Sequence, residues 1–134
     1  MTTNQLTDSR GLALSTRSGS SAAAYTRGVE LLIDSAPEAI EMLRAAVESD
    51  PDFELAWVAL ACALAAAGIP GEAGRRDFSP ACRASTRRER QHVEVVRMVL
   101  SGEHERAAVL GREHLHEFPE DILVAHLMTS HGLA

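Results

Sequence analysis

The stretch Thr86-Arg87-Arg88-Glu89-Arg90-Gln91-His92-Val93 is the most highly charged run of this 134-residue chain. It brings together three groups that do chemistry: guanidinium, carboxylate and imidazole. Clustered arginines can hold an anion, and with aromatic residues between them they can grip nucleic acid. No aromatic side chain is interleaved here, and a net charge of −6 opposes general polyanion binding. Thr86-x-x-Glu89 also has the spacing of a capping box. In that motif the threonine oxygen accepts from the Glu89 amide while the Glu89 carboxylate reaches back to the Thr86 amide. The run therefore predicts a helix start, with its arginines on a solvated or salt-bridged face. An anion-binding module built on Arg83, Arg87, Arg88 and Arg90 is a competing reading.

Six histidines raise the question of a metal site. The densest cluster is Glu113-His114-Leu115-His116-Glu117. His114 and His116 are two apart on a helix and point to different faces. Glu113 with His116, or His114 with Glu117, supplies only two ligands, and the sequence shows neither HExxH nor a third convergent group. The expectation is no metal and no cofactor. Ser130 and His131 are adjacent without a nucleophile elbow, and Cys62 lies in the apolar run WVALACALAAAG, where burial raises a thiol pKa. No catalytic constellation emerges, and the chain reads as non-enzymatic.

The elements that would position these residues are helices. Hydrophobic residues make up 46% of the chain but aromatics only 4%, a composition suited to closely packed helices. Every basic residue is arginine, and residues 75–90 hold six of them against Asp77 and Glu89. Residues 1–18 read as a loose amino-terminal segment in which Gly11–Thr16 is extended and partly docked, followed by one helical domain over 19–134. Helices are expected from Ser18 or Ser20 to about 34, then at 37–49, 53–67, 87–100, 103–117 and 120–133. Gly74 and Pro80 break the stretch 71–84 into two short turns. No strand signal, signal peptide or membrane-spanning run is visible, so a soluble, cytoplasmic chain is expected.

Pro51 and Pro119 lie 68 residues apart, as do Ala39 and Ala107. That is twice the 34-residue period of tetratricopeptide helix–turn–helix repeats. The frame starts repeats at Ser20, Glu54, Arg88 and Ile122. It puts Trp57, Leu60, Ala61 and Leu64 on one first helix and Ala39, Leu43 and Ala46 on a second helix. It fails at Gly111, where a large apolar residue belongs, and at Gln91, where tryptophan belongs.

The segments GLALSTRSGSSAAAYTRGVELLID, ESDPDFELAW, TRRERQHVEVV and LHEFPEDILVAHLMTSHG occur in that order. Together they resemble the amino-terminal part of the tetratricopeptide repeat protein 38-like family over about residues 11–132. TRRER-x-HV and FPxDxLxxxxxxSH are the most specific parts of the likeness. Family members are several times longer, and Gly132 stands after Ser130-His131 where they often carry aspartate. The resemblance implies an all-helical repeat protein without established catalysis.

The fold expected is all-α, an antiparallel helix-turn-helix solenoid of about three and a half repeats. Its expected work is binding a protein or peptide in the concave groove of the first helices. Leu55, Val58, Cys62, His92, Val96, His126 and Ser130 are the groove candidates. Neither nucleic acid nor membrane is expected as a partner. The last helix, with Leu127 and Met128, lacks a covering second helix, and an uncovered stripe predicts self-association, a partner chain or truncation of a longer protein. The competing class is a small enzyme or ligand-binding domain using the groove histidines His92, His126 and His131.

Overall fold

Each helix begins where local chemistry gives its orphan amides a partner or places an acid beside them. Ser18 caps α1 (Gly19–Ile33) by accepting from the Ser21 amide, and Pro37 precedes α2 (Glu38–Ser49). Then come α3 (Glu54–Ala66), α4 (Arg87–Leu100), α5 (His104–Glu117) and α6 (Ile122–Ser130). Thr86 and Glu89 form the expected capping box at the start of α4. The computed structural model describes residues 6–69 and 86–133, so the two short turns expected at 71–84, and Arg83, lie outside the described residues. Within them the chain is all helical. The nearest approach to a strand is an isolated antiparallel bridge between Thr7 and Ala13. No described helix is long and apolar enough to cross a membrane.

Helix α3 is apolar on every side and is the centre of the core: nine of its residues, from Leu55 to Leu64, are buried. α2 and α4 pack on it from either side, α1 packs along α2, and α5 and α6 pack beside α4. Tyr25 and Phe53 meet edge to face, with ring centroids 5.2 Å apart, where α1 joins the start of α3. Close approach needs small residues. A β-carbon on Gly28 would lie 2.6 Å from the Leu43 side chain, and one on Gly111 would lie 2.4 Å from Met128 Sδ. Gly111, which breaks the repeat frame, is thus where α6 inserts Met128 into α5.

Two expectations are corrected. The amino-terminal segment is held more firmly than expected: the docking read for residues 11–16 is complete at Leu14 and reaches back to residue 6. Leu14 is fully buried, Thr16 nearly so, and the Leu14 amide donates to Leu6 O at 2.8 Å. Thr16 and Ser15 also hydrogen-bond to Asp50 and Glu89 respectively. A short apolar anchor flanked by hydroxyls was enough to dock it. The apolar stripe of α6 is not exposed either. Leu123, Val124, Leu127 and Met128 are all buried, and α6 contacts α5, α4 and α1. The predicted self-association surface is therefore spent within the chain's own core.

Candidate functional site

The capping box of α4 does two jobs, because the side chains that follow it face inward. Glu89 is buried; its carboxylate accepts from the Thr86 amide at 2.9 Å and from the Ser15 amide at 3.0 Å, and from the Ser15 hydroxyl. Arg88 is buried as well. It donates to Ala13 O at 2.9 Å and to Asp121 Oδ2 at 3.1 Å. These two adjacent residues of the charged run therefore hold the backbone of residues 13–15 in place. Helix-dipole logic disfavours arginine at a helix start. At Arg88 the Asp121 ion pair and the Ala13 carbonyl outweigh it.

Asp121 immediately precedes α6 and is the hub of a buried network. His92 Nδ1 lies 3.0 and 2.9 Å from its two carboxylate oxygens, and His114 Nε2 lies 2.7 Å from Oδ2. His114 Nδ1 lies 3.1 Å from Gln91 Oε1. Both imidazoles are fully buried, with ring centroids 6.4 Å apart. Burial pushes the Asp121 carboxyl up. The charge of His92, the hydrogen bonds from His114 and His92, and the Arg88 guanidinium outweigh that and hold it well below the usual carboxylate range. Tyr25 is pushed well above its ordinary value, first by its burial and then by the Asp121 charge.

Five of the seven groove candidates are corrected by their burial. Leu55, Val58, Cys62, His92 and Val96 are all 4% exposed or less, packed among the chain's own helices. The inward positions of α3 and α4 are filled by one another, so they present no open groove to a partner. His126 is half-buried and Ser130 exposed. His126 lines a groove of about 290 Å³ with Leu32, Ala36, Pro37, Ile40, Ala63, Ala66 and Ala67. Ser130 Oγ is 3.5 Å from His131 Nδ1, which itself lies 3.1 Å from Leu127 O. A ring nitrogen donating to that carbonyl has no lone pair left for the serine proton.

The arginine candidates do not gather into an anion site among the described residues. Arg87 pairs with Glu117 on the surface, Arg88 is turned inward to Asp121, and Arg90 is exposed. The histidine cluster of α5 separates as its helical spacing requires: His114 is buried, while Glu113, His116 and Glu117 are exposed. The expectation that no third group converges is overturned. One ligand atom each from His92, His114 and Asp121 lies within 4.8 Å of the others. Asp121 was not among the sequence candidates, since an acid beside Glu120 at a helix start is ordinarily solvated. The available signal was its neighbourhood: TRRER-x-HV supplies Arg88, Glu89 and His92, FPxD supplies Asp121, and these two segments meet in the fold. Burial also sets the chemistry of Cys62, whose thiol is pushed up to about 12.

No protein-family model, curated protein or solved structure matches this chain.

Proposed function

We propose that the chain is a non-catalytic, tetratricopeptide-like helical-repeat scaffold that holds a peptide segment of a partner protein. The observation that carries this reading is the spacing of four helices. α1, α3, α4 and α6 begin at residues 19, 54, 87 and 122, close to the 34-residue period, and each packs on the next. Ala39, Ala46, Ala61 and Ala107 are buried where such a frame wants small residues. The likeness of four ordered segments to the tetratricopeptide repeat protein 38-like family supports the same reading. The histidines and acids best suited to chemistry are engaged with one another inside the core. The surface offered to a partner is the groove between the α1–α2 turn, α3 and α6. It is floored by alanine and edged by Pro37, Ile40 and His126. Such a surface fits an apolar side chain of an extended segment, with the imidazole as a polar fix.

A displayed peptide library selected on the chain tests this. Enriched peptides should lose binding to Ile40→Glu and keep it to Arg112→Glu, a substitution on the exposed face of α5. Failure to enrich any sequence, or peptides indifferent to Ile40→Glu, would sink the groove assignment.

A further inference from the structure

We propose that His92, His114 and Asp121 form a binding site for one divalent transition-metal ion, with zinc the best chemical match. Two imidazoles and one carboxylate come from three elements, α4, α5 and the residue before α6. One ligand atom from each lies within 4.8 Å of the others, and all three residues are buried. Two nitrogens and one oxygen suit zinc, cobalt or nickel; magnesium and calcium demand more oxygen ligands than this site holds.

The crowding of the network points the same way. Gln91 Oε1 lies 3.1 Å from His114 Nδ1. Nε2 of the same ring lies 2.7 Å from Asp121 Oδ2. Asp121 Oδ2 is also crowded, with His92 Nδ1, His114 Nε2 and Arg88 all within 3.1 Å. Meanwhile His92 Nε2 is buried with no hydrogen-bond partner, so the protein's own donors and acceptors do not satisfy the cluster. The surroundings have the character of a metal's outer shell. A ligating histidine typically donates its other N–H to a carbonyl, and Gln91 Oε1 stands 3.1 Å from the other ring nitrogen of His114; a ligating carboxylate is itself hydrogen-bonded, as Asp121 is by Arg88. Beside Asp121 lies a cavity of about 10 Å³ lined also by Tyr25 and Asp8, about the space of a single water. Arg88 opposes any cation here, so the ion must be one that binds nitrogen strongly. The site ties three elements together without opening to substrate, and its role is to lock the fold. It stands independently of any peptide bound in the groove.

The test uses the full chain, stripped with chelator and titrated with cobalt and zinc. Expected are one cobalt per chain with a visible absorption band of four-coordinate intensity and a rise in Tm on adding zinc. In the wild type, zinc should shift the ring ¹⁵N signals of His92 and His114. His114→Gln should abolish band and shift, whereas His131→Ala, which removes the surface ring pair with His104, should keep both. Absence of the band and of the zinc-induced Tm rise would overturn the proposal. Binding lost in His131→Ala, or zinc shifts confined to His104 and His131, would overturn it too. Because the ¹⁵N measurement needs no variant, the test survives a poorly folded His114→Gln.

Discussion

The guanidinium of Arg88 stands 3.1 Å from the Asp121 carboxylate, and both side chains are almost wholly removed from solvent. Attraction between buried charges is offset by their desolvation, so the pair contributes little net stability as long as it is whole. Breaking it is another matter. Asp121→Asn keeps the shape, leaves Arg88 uncompensated and weakens the anchor for His92 and His114. The expected cost is about 3–5 kcal/mol in urea denaturation. A loss below about 1 kcal/mol would show that water reaches and screens Arg88.

Glu89 joins the cap of α4 to the amino-terminal segment through the Ser15 amide and hydroxyl. Thr86→Ala removes only a cap acceptor and should cost about 0.5–2 kcal/mol. Glu89→Ala should cost more and also release residues 13–16. Limited trypsin digestion followed by mass spectrometry would read this as faster cleavage after Arg17 in Glu89→Ala but not in Thr86→Ala. Equal cleavage in the two variants would place the anchor elsewhere.

Gly28 and Gly111 answer the same substitution differently. An alanine β-carbon at residue 28 would meet the branch point of fully buried Leu43, whereas at residue 111 it would meet the unbranched thioether of Met128. Methionine can swing aside and leucine cannot. Gly28→Ala should therefore destabilise by about 1–3 kcal/mol. Gly111→Ala should cost less, since alanine's better helix propensity returns up to about 1 kcal/mol. Thermal denaturation of the two variants gives the order, and a reversed order would refute the packing argument.

Cys62 supplies a pH dependence with a definite sign. Burial raises its thiol from 9.0 unfolded to about 12 folded, so the folded chain keeps its proton longer. The stabilisation is fully present below pH 9 and is lost as pH rises from there through about 12. The slope is about 1.4 kcal/mol per pH unit from this group alone. Cys62→Ala should flatten the fall in urea-denaturation stability between pH 9 and 11. In a Cys82→Ser background, the remaining thiol should react with a disulfide reagent only on unfolding. Rapid labelling of the native chain would contradict its burial.

Local chemistry was legible in the sequence because it depends on near neighbours. The caps at Ser18 and Thr86, the stop after Leu100 and the inward stripe of α2 follow from spacings of a few residues. The six described helices start within about two residues of where those spacings place them. The elevated thiol of Cys62 was legible too, since an alanine-rich apolar run buries whatever it contains.

The site was not legible, because its members are set by which faces meet. His92 was paired in sequence with His126, one repeat away, and the fold pairs it instead with His114 and Asp121. Periodicity identifies equivalent positions, but it does not say whether an inward position faces a partner protein or the next helix. α3 is apolar all round, so α2 and α4 close over it, and Leu55, Val58 and Val96 became core. The partners that hold residues 13–16, the burial of α6 and the convergence of three histidine and aspartate ligand atoms are all long-range outcomes. They arise because covering apolar surface brought distant segments together, and the charges already on those segments had to find partners there.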